Sequence, residues 1–141
     1  MNKKITKLLL ITPCLILLPS CGENQGNNFC DIFKWGSSVK ADSLDSIEVE
    51  KGWIGTSPEN TLISQKSTQN PQDFSNFVSW INNVKLTETD NNLVGGSYVE
   101  ISFNLLDKNS YQIRVNNGSI CVTDSGSVQY YLPSIQLPEV L

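Results

Sequence analysis

The feature that most constrains the fold is an alternation of apolar and polar residues that begins at Tyr98 and continues toward the C-terminus. Apolar residues occupy every second position of Val99–Leu105 and of Tyr111–Val115, which is the period of a strand with one buried face. Asn117-Gly118 then supplies the strongest short signal for a hairpin turn. Successive strands joined by tight turns pair antiparallel, so this half of the chain predicts a β-meander.

One amphipathic helix is predicted ahead of the meander. Asn70 is a good N-cap residue, and Pro71 is tolerated at the first helical position. The next apolar residues recur at helical spacing and form one stripe, made up of Phe74, Phe77, Val78, Ile81 and Val84. Two extended segments, 44–51 and 53–64, precede the helix. The sequence therefore predicts an α+β fold with the helix packed on the meander.

Two other segments complete the expected domain organisation. The aromatic stretch Phe29–Trp35 is too apolar for a linker, and we expect it to dock on the body of the domain. Thr87–Ser97 has no periodicity and contains Gly95-Gly96, which predicts a loop. We expect a signal segment at 1–20, a tether with the docked segment at 21–41, and a single domain at 42–141.

The N-terminus has the layout of an export signal, in which three lysines precede the apolar run 8–18. Leu18-Pro19-Ser20-Cys21 closes this run and resembles the lipobox of bacterial lipoprotein signals. The resemblance implies cleavage before Cys21 and acylation of that cysteine, which anchors the protein to a membrane. It also implies a location in the bacterial envelope, on the periplasmic side. Gly22 instead of aspartate favours the outer membrane if the host is Gram-negative.

Cys30 and Cys121 remain after Cys14 leaves with the signal and Cys21 takes the lipid. An even number of cysteines in an oxidising compartment favours a disulfide. We therefore expect a bond between Cys30 and Cys121 that ties the N-terminal segment to the sheet. The alternative is two free, buried thiols.

The charge balance limits the classes of partner. Loss of residues 1–20 removes three lysines and leaves seven basic against fourteen acidic residues, a net charge of −7. This balance argues against nucleic acid, whose phosphates require lysine and arginine. It suits a basic protein partner attracted by long-range electrostatics. Solubility alone is an equally good explanation.

Several kinds of chemistry are excluded or weakly indicated. The chain has no histidine, so it cannot form a Ser-His-Asp triad or a histidine metal site. No cofactor-binding motif is present, and we expect neither cofactor nor metal. Glu48 and Glu50 lie on one face of a predicted strand, about 6.5–7 Å apart, near the separation of an inverting glycosidase pair. Alternating glutamates are more often the solvated face of a strand.

These features together predict a membrane-tethered binding protein instead of an enzyme. The chain is similar to periplasmic bacteriocin immunity proteins in length, export signal and small acidic body, although it shares no binding motif with them. That resemblance implies a toxin or a cell-wall hydrolase, such as a basic muramidase, as the partner. The candidate contact residues are the acidic pair and three aromatic anchors, namely Glu48, Glu50, Trp35, Trp53 and Tyr131.

Two alternatives remain open at this point. Each aromatic residue can equally be part of the core. The protein can also be an assembly or accessory lipoprotein of an envelope machine, in which case an exposed edge strand is expected.

Overall fold

A computed structural model describes residues 26–55, 61–90, 95–124 and 127–139. It is an α+β fold with one main helix and one eight-stranded antiparallel sheet, as predicted. The strands lie in the order β1-β4-β8-β7-β6-β5-β2-β3. The elements are β1 (Asn27–Asn28), α1 (Phe29–Ile32), 3₁₀ turns at Lys34–Ser38 and Ala41–Ser43, β2 (Leu44–Ile54), β3 (Thr61–Thr68), α2 (Pro71–Asn83), β4 (Lys85–Thr89), β5 (Gly96–Leu105), β6 (Ser110–Asn116), β7 (Ser119–Asp124) and β8 (Ser127–Pro133).

Helix α2 begins as the sequence predicts. The Asn70 side chain accepts a hydrogen bond from the backbone N–H of Gln72 at 3.0 Å, and Pro71 opens the helix. Trp80 is buried with the predicted apolar stripe, and its Nε1 donates to the carbonyl oxygen of Ile135 at 3.0 Å. The indole therefore fixes the C-terminal tail against α2.

The sheet has one covered face and one open face, because side chains alternate along each strand. The inner face packs against α2 and the N-terminal segment through apolar residues, among them Ile47, Val49, Ile101, Phe103, Ile113, Val115 and Ile120. The outer face carries the polar residues between them. No described helix covers that outer face.

The N-terminal aromatic segment lies against the core. Phe29 is fully buried and stacks on Phe33 with ring centroids 4.6 Å apart. Trp35 stacks on Tyr111 at 5.0 Å, with the two ring planes 2° apart. The segment thus extends the hydrophobic core beyond the end of α2.

The hairpin between β6 and β7 has the backbone expected of Asn-Gly. Asn117 and Gly118 both have positive φ, at 46° and 84°, as a type I′ turn requires. The predicted loop Thr87–Ser97, in contrast, is wrong at both ends, because Gly96 and Ser97 already belong to β5. Thr87–Thr89 belong to β4, which pairs with β8, and this long-range partner supplies the backbone hydrogen bonds.

The expected disulfide is not formed, since Cys30 and Cys121 are both free thiols. Cys30 packs against the core on the inner side of the sheet. Cys121 lies between the inward-facing Ile120 and Val122 and pairs with Arg114, so its side chain is on the outer face. The sheet separates the two sulfurs. Burial raises the pKa of the Cys121 thiol, which therefore remains protonated at neutral pH.

The predicted signal segment and Cys21 lie outside the described residues, as does part of the predicted extended segment 53–64. Among the helices that the structure does describe, none is both long and apolar enough to cross a membrane.

Candidate protein-binding surface

The structure does not bring the five predicted contact residues together. Glu48 and Glu50 lie on the outer face of β2 and are partly exposed. Trp53 lies near the end of the same strand and is 53% exposed. Trp35 and Tyr131, in contrast, pack in the core.

Tyr131, a candidate aromatic contact residue, faces the core instead of the outer surface. Tyr131 pairs with the inward-facing Ile120 and is only 7% exposed. Its hydroxyl donates to Gln129 Oε1 at 3.0 Å, and burial, with a smaller contribution from Glu88, raises its pKa. The adjacent Tyr130 takes the outward position. For Trp35 and Tyr131 the alternative placement in the core is therefore correct.

A residue absent from the predictions, Tyr98, organises the outer face. Although it points away from the core, it is only 4% exposed. Its ring lies over Gly52 on the neighbouring strand, where a Cβ atom would stand 2.5 Å from Tyr98 Cζ. Only glycine therefore leaves room for this ring.

Tyr98 links Glu50, one of the two predicted glutamates, to a wider polar network. Its hydroxyl donates to Glu50 Oε1 at 2.7 Å. Arg114 on β6 lies over the same ring, with Cζ 5.3 Å from the ring centroid, within the range of a cation–π interaction. The guanidinium also donates from Nε and Nη2 to Glu100 Oε2, at 3.0 and 2.8 Å. We call Glu48, Glu50, Tyr98, Glu100 and Arg114 the acidic cluster.

The hydrogen bond to Glu50 raises the pKa of Tyr98, and burial and the nearby negative charges of Glu50 and Glu100 act in the same direction. Arg114 opposes them only in part. The phenol is therefore a neutral donor at physiological pH, and it holds the Glu50 carboxylate in one position.

The acidic cluster carries an excess of negative charge. It contains three carboxylates and one guanidinium, and Arg114 is the only arginine of the chain. That guanidinium pairs with Glu100, whereas Glu48 and Glu50 make no ion pair with any described residue. Two carboxylates are consequently available to a basic group from outside.

An exposed apolar patch borders this cluster at the end of the β2–β3 pair. Leu62 pairs with Gly52 on the outer face, whereas Trp53, which pairs with Thr61, shares the opposite face with Val49 and Lys51. Trp53 is 53% exposed, Leu62 52% and Ile63 67%. We call Leu62 and Ile63, at the start of β3, the apolar patch.

A groove on the opposite side of the sheet lies between α2 and the C-terminal tail. It has a volume of about 430 Å³, and its apolar walls include Val49, Phe77 and Ile101. Lys51 and Glu139 line the same groove. Neither Glu48 nor Glu50 does, so the acidic pair stands on an open surface and not in this groove.

Among the described residues, no group of three histidine, cysteine, aspartate or glutamate side chains could hold a metal ion. Sequence patterns could have indicated Gly52, because a glycine inside an otherwise regular strand often marks a close approach. Nothing in the sequence pairs Gly52 with Tyr98, which lies 46 residues later.

Comparison with known proteins gives no relative. No protein-family model matches the chain, and neither a curated protein nor a solved structure is similar to it.

Proposed function

We propose that this protein is an envelope-tethered binding protein that neutralises a toxin or a cell-wall hydrolase by direct contact. The single observation that carries the proposal is the open outer face of the sheet, with its acidic cluster. Glu48 and Glu50 have no basic partner among the described residues, and Tyr98 holds Glu50 in place before any partner arrives. Preorganised charges of this kind favour affinity, because little ordering remains to be done on binding.

A basic enzyme is the partner that fits this surface best. Carboxylates without partners attract a cationic protein over a distance and speed its association. Muramidases and many bacteriocins act on the envelope, where the acylation of Cys21 would hold this protein. Near the end of β2, the strand of Glu48 and Glu50, but on its other face, the exposed indole of Trp53 offers an aromatic anchor of the type found in interfaces.

The proposal is tested by affinity capture with residues 22–141, produced without the lipid. Extracts of the native host and of toxin-producing relatives are passed over the protein, and bound proteins are identified by mass spectrometry. We expect one basic envelope hydrolase or bacteriocin in stoichiometric amount, whose activity falls when this protein is added. The double variant Glu48→Gln/Glu50→Gln should weaken capture, whereas Asp42→Gln, at an exposed acid ahead of the sheet, should not.

One observation favours a second function. The sheet ends in an exposed strand, β3, as expected of an assembly or accessory lipoprotein of an envelope machine. Capture of several subunits of one such machine, without inhibition of any hydrolase, would support that function and overturn neutralisation.

A further inference from the structure

The exposed edge of the sheet at β3 offers a second way to engage a protein. β3 is the last strand of the sheet, and seven of its eight residues pair with β2, while no other described strand pairs with it. The row of N–H and C=O groups on its free side is a template for one more strand. At the other edge of the sheet, the short strand β1 already pairs with Lys85 and Leu86 of β4, so part of that edge is occupied.

The two ends of this edge differ in chemistry. At the start of β3, Leu62 and Ile63 expose apolar surface, and Trp53 lies at the same end of the neighbouring strand β2. Further along, β3 carries only small or neutral residues on its outward side, where Gln65 pairs with Glu50 and Ser67 with Glu48. An added strand thus meets an apolar environment at one end and an acidic one at the other.

Distances allow basic side chains of an added strand to reach the two carboxylates. The added strand would lie two strand spacings, about 9.5 Å, from β2. The long side chains of lysine or arginine and of glutamate together span this gap over Gln65 or Ser67. The negative charges of Glu48 and Glu50, which have no ion-pair partner among the described residues, therefore favour basic residues at the outward-facing positions of the added strand.

A second copy of this chain fits the edge less well. β3 has no acidic residue and its only charge is Lys66, so two paired β3 strands would offer no basic group outward to Glu48 and Glu50. The acidic net charge of the two copies also repels.

We propose that β3 receives an extended segment of a protein partner as an additional strand, with apolar side chains beside the apolar patch and basic side chains outward beside Gln65 and Ser67. This inference rests on the proposed function only in taking a basic protein as the partner. Backbone hydrogen bonds would supply affinity, and the alternating side chains would supply specificity.

The test uses an eight-residue synthetic peptide of alternating valine and arginine as the probe. Amide hydrogen exchange of residues 22–141 is measured with and without it. We expect slower exchange within β3 and a change in Trp53 fluorescence. A peptide N-methylated on the backbone nitrogens that face β3, and a peptide with glutamate in place of arginine, should each bind at least tenfold more weakly.

Matched variants locate the contact. Ile63→Lys, at the exposed end of β3, should reduce peptide affinity about tenfold, a difference of about 1.4 kcal/mol. Val128→Lys, at a similarly exposed position on β8, should leave it unchanged. Equal binding of the arginine and glutamate peptides, protection located outside β3, or no binding at all would overturn the proposal. So would concentration-dependent protection of β3 without peptide, which would identify a second copy as the occupant.

Failure of this inference can be told apart from failure of the proposed function. If the Ile63→Lys variant still binds and inhibits the captured hydrolase normally, the docking of a strand on β3 is overturned. The proposed neutralisation then still stands. Peptide binding at β3 without any captured hydrolase supports the docking site and overturns neutralisation.

Discussion

At the scale of single residues, Gly52 is the position on which the outer face depends. Replacing it with alanine places a methyl group 2.5 Å from the Cζ atom of Tyr98, so the ring must move off β2. We expect Gly52→Ala to lower the free energy of unfolding by about 1–3 kcal/mol, the usual cost of overpacking. Urea denaturation followed by tryptophan fluorescence measures this change.

A double-mutant cycle tests whether the contact with the Tyr98 ring causes the loss of stability in Gly52→Ala. In a Tyr98→Ala background the space over Gly52 is empty, so the added methyl group should cost much less there. An equal cost of Gly52→Ala in both backgrounds would show that the contact with Tyr98 is not its cause.

The pH dependence of stability provides a second test at this scale. The hydrogen bond to Glu50 and burial raise the pKa of Tyr98 above its unfolded value of about 10. The protonated phenol therefore stabilises the fold below pH 10, and this contribution is lost as the pH rises through the higher folded-state pKa. We expect the free energy of unfolding to decline above pH 10, and to decline less in Tyr98→Phe.

Tyr131→Phe is the informative comparison, because burial raises the pKa of Tyr131 as well. Each single variant should remove part of the alkaline decline, and the double variant should remove more than either. An unchanged pH profile in Tyr98→Phe would contradict the assigned role of its hydroxyl.

Predictions for single residues succeed where the alternation of apolar and polar residues shows which side chains share a face. They fail where the pattern does not show which of two adjacent residues faces the core. Glu48 and Glu50 share the outer face of β2, as the alternation indicates. Tyr130 and Tyr131 are adjacent, so one must face inward, and the pattern around them does not say which. Pairing with Ile120 decides that Tyr131 does.

At the scale of elements, α2 depends on its first turn. The Asn70 side chain satisfies the N–H of Gln72, one of the donors that a helix start leaves unpaired. We expect Asn70→Ala to lower the free energy of unfolding by about 1 kcal/mol, measured by chemical denaturation.

The same substitution inside α2 provides the control. Asn82 is exposed, and alanine is the better helix former there, so Asn82→Ala should raise stability by a few tenths of a kcal/mol. A loss of similar size at both positions would argue against a specific cap.

Elements set by local sequence could be predicted, and those set by distant partners could not. α2 combines a cap, an N-terminal proline and an apolar stripe within fifteen residues, Asn70–Val84. β4 has no alternation, and it is a strand because β8, some forty residues later, supplies its hydrogen bonds.

At the scale of the whole molecule, the predicted lipid anchor decides where the binding surface can act. Two acyl chains hold a protein stably at a membrane. We expect Cys21→Ala to abolish labelling by radioactive palmitate and to release the protein from the membrane fraction. Cys14→Ala, in the segment predicted to be removed, should change neither. Persistent labelling of Cys21→Ala would contradict the predicted lipidation.

The candidate site could be predicted in part at this scale. Composition indicates an acidic body, and alternation places Glu48 and Glu50 outward. The acidic cluster itself joins residues from β2, β5 and β6, whose register is a property of the folded sheet. The geometry of the acidic cluster is therefore visible only in three dimensions.

The location of Cys30 and Cys121 on opposite sides of the sheet has a consequence for biogenesis. A bond between them is incompatible with the native arrangement, so oxidation is a hazard to folding and not an aid. A chain cross-linked there before the sheet closes would have to be reduced before it could mature. We therefore expect the domain to fold equally well under reducing and under oxidising conditions.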